Sequence, residues 1–206
     1  MNSTIYYPHP PPGNLVYEEQ FKNEEFHTFD EVCLKFLVHL KEVHIQHIMY
    51  LPSSACIAVA GPVDSNKVSL TNRSSWVIDG NVLPKILGIP IVKIINDFAA
   101  AGFGLLCLGP EDTYTLQDVP GKEGYPIACV GAGTGLGECF LTPDKHGHYT
   151  CFSSEGGHSE FAPRNDLEIE LLKFLSLKFE SHHRISVERI VSGPGIANVY
   201  EFLAFK

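Results

Sequence analysis

Residues 125–160 read YPIACVGAGTGLGECFLTPDKHGHYTCFSSEGGHSE, and the rest of the chain is organised around them. Gly131, Gly133, Gly135 and Gly137 fall within seven residues. Lacking Cβ atoms, such a turn lets the backbone come close to a ligand. Its amides can converge on an anion such as phosphate. The apolar run 126–130 reads as a strand leading into the turn. Residues 137–141 and 148–153 read as two more strands, joined through Pro143, Asp144, Lys145, His146 and Gly147.

Two familiar glycine motifs fail here. A dinucleotide fingerprint needs Gly-x-Gly-x-x-Gly opening a helix, but position 136 is Leu and residues 138–142 are strand-like. A phosphate loop ending in Gly-Lys-Ser/Thr has no match. What remains is a strand, a glycine turn centred on Thr134, and a second strand. Backbone amides with one hydroxyl suit the terminal phosphates of a nucleotide. Gly131, Gly133, Thr134, Gly135 and Gly137 are therefore the candidate nucleotide-binding residues. A plain tight hairpin is the simpler alternative, although a hairpin rarely needs so many glycines.

Downstream, Glu155 and His158 flank Gly156 and Gly157. A carboxylate and an imidazole so placed can hydrogen-bond the vicinal hydroxyls of a sugar. Zinc is the competing reading, through His148, Cys151 and His158. Their spacing matches no standard zinc site, so no metal site is assigned to protein side chains.

Working back along the chain, residues 1–14 hold Pro8, Pro10, Pro11, Pro12 and Gly13 and read as an irregular linker or loop. Residues 15–21 have strand composition. Thr28 and Glu31 form a capping box. Phe29, Val32, Cys33, Phe36, Leu37 and Leu40 then predict an amphipathic helix over 29–42. Buried strands are expected over 55–60 and 90–95, with a short strand over 68–71 and a helix over 79–87 closed by Gly88. This alternation of strands and helices is an α/β signature. Asn96 and Asp97 follow a strand and open a helix. Ligands gather at the carboxyl ends of strands in such sheets. Position alone favours Asp97 as a helix cap, with a catalytic base as the other reading.

A boundary is expected within 106–124. Beyond the glycine stretch, a strongly apolar helix is expected over 166–179 and a short one over 186–191. A last helix is capped by Ser192, with Pro194 in its first turn.

The chain has 206 residues, 44% of them hydrophobic and 19% charged, which is a globular composition. Its formal charge of −9 argues against nucleic-acid and anionic-membrane surfaces, which need basic patches. Cys33, Cys56, Cys107, Cys129, Cys139 and Cys151 form no Cys-x-x-Cys pair and read mostly as buried thiols in a reducing compartment. With no membrane-length apolar run, a soluble cytoplasmic protein is the default. His44, His47, His182 and His183 read as bland.

Together the segments CIAVAGPV (56–63), SLTNRSSW (69–76), IINDFAAAGFG (94–104), IACVGAGTGLG (127–137), SSEGGHSEFAP (153–163) and SVERIVSGPGIANVY (186–200) resemble the bacterial-type ATP-dependent glucokinases. These are the zinc-free group of the sugar kinase/actin-like ATPase superfamily. The resemblance covers residues 15–206 in order and spacing. It implies a two-domain, actin-like, ribonuclease H-like α/β fold. Residues 15–108 would be a remnant of the small α/β domain, and 109–206 the first part of the large one. It implies ATP-dependent phosphorylation of glucose at its 6-hydroxyl, with ATP and Mg²⁺ as cofactors, at the entry to glycolysis. By resemblance Asp97 is the general base and Asn96 holds a neighbouring hydroxyl. Glu155, His158 and Glu188 bind the other ring hydroxyls. Gly133, Thr134 and Gly135 line the γ-phosphate path. The related repressor/kinase group carries a Cys-rich zinc motif after its Gly-His, where this chain has Ser159, Glu160, Phe161, Ala162 and Pro163.

Two family elements have no counterpart. Nothing in residues 1–20 resembles the Asp-x-Gly-Gly-Thr phosphate motif, and no helical bundle with an adenosine motif follows the last helix. The expectation is a chain incomplete at both ends, with its sugar side present and kinase activity impaired. The alternative is a catalytically inactive sugar-binding or regulatory fragment. A kinase for mannose or an N-acetylated sugar is a weaker reading. Apolar area left uncovered favours association, with a homodimer as one outcome.

Overall fold

Thr28 and Glu31 close the capping box that their spacing predicts. Thr28 Oγ1 accepts the Glu31 amide at 3.3 Å, while Glu31 Oε2 accepts the amides of His27 and Thr28 at 2.8 and 3.3 Å. The helix they open, α1 (Phe29–Val43), buries Phe29, Val32, Phe36, Leu37 and Leu40 along one stripe. Cys33 lies beside that stripe, and burial pushes its thiol up to about 12.

The structure, a computed structural model, describes residues 2–7, 14–43, 52–70, 76–119, 121–122, 124–180 and 184–206. They fall into two compact units, Met1–Leu116 and Gln117–Lys206. The proline run 8–13, the 71–75 part of the SLTNRSSW segment, and His44, His47, His182 and His183 lie outside the described residues. None of the described helices is long and apolar enough to cross a membrane.

The first unit begins with an unexpected strand. Residues 1–14 read as irregular, yet β1 (Asn2–Tyr7) pairs antiparallel with β2 (Asn14–Gln20), Ile5 opposite Tyr17. The reason is local. β-branched and aromatic residues fill positions 4–7, ahead of the first proline.

Next come β3 (Ser54–Val59), a short antiparallel pair of β4 (Lys67–Ser69) and β5 (Val77–Asp79), α2 (Leu83–Leu87), β6 (Ile91–Asn96) and α3 (Asp97–Leu105). β6 lies parallel to β3, Val59 opposite Asn96. The α1 stripe packs with Val59, Trp76, Ile78, Leu83, Val92 and Ile94 in one core, and Trp76 meets the Phe29 ring edge-on at 6.2 Å.

Three expectations are corrected. The helix over 79–87 is shorter, because Asp79 ends β5 and its carboxylate accepts the Asn81 amide in a turn; Pro84 then sits in the first helical turn. Gly88 closes this helix at φ 68°, as expected. The strands β3 and β6 are buried on one face only. Val59, Val92 and Ile94 point into the core, whereas Cys56 and Ile91 are exposed. Of the six cysteines only Cys139 is buried, and Cys56 and Cys107 are exposed, against the expectation of mostly buried thiols.

Asn66, held at φ 62°, braces β6. Its Nδ2 donates to the Val92 carbonyl at 3.0 Å and its Oδ1 accepts the Ile94 amide at 2.8 Å. One side chain thus does for this edge what a strand would do.

The second unit is built on an antiparallel meander of β7 (Ile127–Ala132), β8 (Leu136–Pro143) and β9 (Tyr149–Ser154). Gly131 faces Gly137, so Gly133, Thr134 and Gly135 form the turn itself. The second turn is tied by the Asp144 carboxylate, which accepts the amides of His146 and His148 at 2.7 and 2.9 Å. Two helices follow. α4 (Asp166–Lys178) is capped by Asn165, and α5 (Gly193–Phe205) by Ser192, whose Oγ accepts the Gly195 amide at 3.0 Å. Leu171, Leu175, Ile185 and Phe202 form their shared core. The short helix expected over 186–191 is a single 3₁₀ turn, Val187–Arg189.

Candidate active site

In the first unit, Asn96 ends β6 and Asp97 begins α3. The cap of this helix is Asn96, not Asp97. Asn96 Oδ1 accepts the amides of Phe98 and Ala99 at 2.9 and 3.1 Å, and its Nδ2 donates to the Gly61 carbonyl at 3.2 Å. Asn96 thereby ties the carboxyl ends of β3 and β6 together. With the capping done by its neighbour, Asp97 is exposed, and its carboxylate accepts only the Phe98 amide, at 2.9 Å, among the described residues. The Asp97 carboxylate is therefore open to solvent at the head of α3.

In the second unit, the structure brings Glu155, His158, Glu188 and the glycine turn together. Glu155 precedes a 3₁₀ turn, Gly156–His158, that packs on the start of β8. Main-chain bonds then align the segment carrying Glu188. Phe161 donates to Ile185 at 2.8 Å, Val187 donates to Ser159 at 2.9 Å, and Glu160 bridges Ser186. The His158 ring lies between two carboxylates, Nε2 at 3.6 Å from Glu155 and Nδ1 at 3.7 Å from Glu188. His158 and Glu155 are more than half exposed, so these contacts add little stability. The backbone holds the site, and the polar tips remain available for hydroxyl groups.

Glu188 is the better anchored of the two carboxylates. Its Oε2 accepts the Leu136 amide at 2.8 Å, directly after the glycine turn. The turn is also fastened from the other side, where the Gly193 amide at the head of α5 donates to the Gly133 carbonyl at 2.7 Å. No described residue accepts the amides of Thr134 and Gly135. A Cβ at Gly133 would meet nothing within 4 Å. Open space and two unengaged amides fit an oxyanion. Among the described residues, no group of three or more His, Cys, Asp or Glu converges as a metal cage.

Residues 7–206 match the family model for Glucokinase. The chain belongs to the glucokinase family. It is 44% identical over 189 residues to the glucokinase of Trichormus variabilis, covering 91% of this chain and 52% of that protein. It is 51% identical over 151 residues to the glucokinase of Synechocystis sp., covering 73% of this chain and 42% of that one. The chain spans about half the length of the curated glucokinases it matches. Among solved structures, a glucokinase from an Antarctic psychrotroph superposes with a TM-score of 0.76 at 28% identity, covering 99% of this chain and 61% of that one. The Balamuthia mandrillaris glucokinase in complex with glucose gives a TM-score of 0.63 at 23% identity, covering 93% and 56%, a likeness of fold. The fold is thus the actin-like, ribonuclease H-like α/β fold of the glucokinases.

Sequence reading missed three supports of these candidate residues. Gly61 supplies the carbonyl that fixes Asn96. Ser154 Oγ accepts the Gly156 amide at 3.0 Å, and the Glu138 carboxylate lies against Gly156. Glu138 and Ser154 face each other across β8 and β9, a relation visible only in the register.

Proposed function

We propose that this chain takes part in ATP-dependent phosphorylation of glucose at its 6-hydroxyl. The observation that carries the reading is the His158 ring set between the Glu155 and Glu188 carboxylates beside an open glycine turn, in a chain of the glucokinase family. In this reading Asp97 accepts the proton of the attacking hydroxyl as it moves to phosphorus. Asn96 keeps one amide hydrogen for a neighbouring hydroxyl while its other atoms hold the strand ends. Glu155, His158 and Glu188 bind ring hydroxyls, which disfavours sugars lacking one, because a polar group would be left unpaired.

The nucleotide fits the turn in part. Gly133, Thr134 and Gly135 would hold its terminal phosphates through amides and one hydroxyl, with Gly131 and Gly137 closing the strands behind them. Bound ATP supplies the phosphoryl group, and a Mg²⁺ ion would be carried largely by its phosphates. Cytoplasmic glycolysis is the setting this chemistry implies, and self-association into a homodimer is compatible with exposed Phe140, Phe152, Ile196 and Phe205.

Calorimetry with glucose and a coupled ADP-release assay with glucose and Mg–ATP test the proposal on the 206-residue chain. Heat of glucose binding together with slow ADP release is the expected result. Glucose binding without ADP release would favour the sugar-binding reading. A folded chain that shows neither would refute the proposal.

A further inference from the structure

The two glycines that flank Thr134 do different things. Gly133 borders open space, with nothing within 4 Å of a Cβ built on it. A Cβ on Gly135 would instead collide with Glu188 Oε2 and lie 3.2 Å from its Cδ. The same Oε2 accepts the Leu136 amide at 2.8 Å, one residue further on. The other oxygen, Oε1, is the one 3.7 Å from His158 Nδ1. Glu188 is thus clamped at one oxygen by the main chain of the turn and presents the second oxygen beside His158. Only 27% of its side chain is exposed.

We propose that Gly135, besides offering its amide to a phosphate, is a positioning residue for Glu188 and through it for sugar recognition. Its missing side chain leaves the seat that the carboxylate occupies. The glycine turn therefore serves two ligands: its Gly133–Thr134 side is open to an anion, and its Gly135–Leu136 side orients a sugar-binding carboxylate. This inference rests on the proposed role of Glu188 in binding glucose.

The geometry makes a clean perturbation available. The group in the way is the far end of a flexible side chain, not backbone. An alanine at 135 fits once the carboxylate swings off the Leu136 amide. Gly135→Ala should therefore fold and displace Glu188. We expect glucose affinity to fall about tenfold or more, as for the loss of a hydrogen bond to a charged group. Glu188→Ala should do the same, and the double variant should be no worse than Glu188→Ala alone, since both remove one interaction. The His158 ring ¹⁵N shifts, measured without sugar, should move in the same direction in both single variants. Wild-type glucose affinity in a folded Gly135→Ala, or losses that add in the double variant, would overturn the inference. Should the unaltered chain bind no glucose, the proposed function fails on its own account. The ring shifts then decide the Gly135–Glu188 coupling: movement in both variants sustains it, and no movement in Gly135→Ala refutes it.

Discussion

Gly157 sits against Leu136 so closely that a Cβ on it would collide with the Leu136 carbonyl oxygen. That oxygen is backbone at the start of β8 and cannot swing aside. The 3₁₀ turn carrying His158 is thus docked, through Gly157, on the strand whose first amide holds Glu188. Gly157→Ala should push the turn off the strand, lowering stability by about 1–3 kcal/mol as overpacking does, and should weaken glucose binding. Gly156→Ala meets the Glu138 carboxylate, the end of a flexible side chain, and should be milder. Chemical denaturation of both variants orders them. Equal losses would refute the distinction.

The division of labour between Asn96 and Asp97 makes stability separable from the proposed chemistry. Asn96→Ala removes the acceptor of the Phe98 and Ala99 amides and the link to Gly61. A stability loss of about 1–2 kcal/mol is expected. Asp97→Asn should stay within about 0.5 kcal/mol of the unaltered protein, and in an active form should abolish turnover while sparing sugar affinity. Thermal melts and single-turnover assays read the two effects. Turnover surviving Asp97→Asn would remove the general-base assignment.

Asn66 should be among the most sensitive polar residues of the first unit. Asn66→Ala leaves the Val92 carbonyl and the Ile94 amide without their partner and places alanine at φ 62°. A loss of about 2–4 kcal/mol is expected from the two unpaired groups and the left-handed backbone. Asn66→Asp keeps the acceptor for Ile94 but sets a carboxylate oxygen against the Val92 carbonyl, so it should not rescue. Urea unfolding checks this, and a near-neutral Asn66→Ala would show that β6 does not depend on the brace.

Stability should respond to pH through Glu19, which joins β2 to α1. Its Oε1 lies 2.7 Å from His39 Nδ1 and its Oε2 accepts the Tyr17 hydroxyl at 2.7 Å. Burial alone would push this carboxyl up, but hydrogen bonds from Tyr17 and His39, with the charges of His39 and Lys35, hold it below its ordinary 4.5. Burial first, and then the bond to Glu19 and the nearby carboxylates, push the Tyr17 hydroxyl from 10.0 up to about 12. The lowered carboxyl contributes stability above pH 4.5 that is lost as pH falls through its folded value. The raised phenol contributes stability below pH 10.0 that is lost as pH rises toward about 12. Tyr17→Phe should flatten the alkaline fall of the urea midpoint and lower neutral stability by about 1 kcal/mol. An alkaline arm of unchanged slope would show that other groups control it.

Much of this protein was legible in local pattern. The capping box at Thr28, the apolar stripe of α1, the Gly88 and Ser192 helix ends and the strand–turn–strand around Thr134 each depend on residues a few positions apart. Their physics is steric and hydrogen-bonding chemistry within one turn or one hairpin. The same holds for Glu155 and His158 as a pair of polar tips on a glycine turn.

Other relations lay beyond local reach. Asn66 reaches Ile94 across 28 residues, and Glu188 reaches the Leu136 amide across 52. No periodicity encodes such contacts, because each needs two segments brought together by the sheet. The strand at Asn2–Tyr7 was hidden by the prolines after it, and the exposed faces of β3 and β6 by apolar runs that imply burial on both sides. The sequence alone determined the family and named the candidate site residues. Only the tertiary structure decided that Asn96 does the capping, that Asp97 is thereby left exposed, and that Gly135 yields its space to Glu188. The cap itself is local, but the tie from Asn96 to Gly61 spans 35 residues and the Gly135–Glu188 contact joins segments still farther apart, and only packing can set such distances.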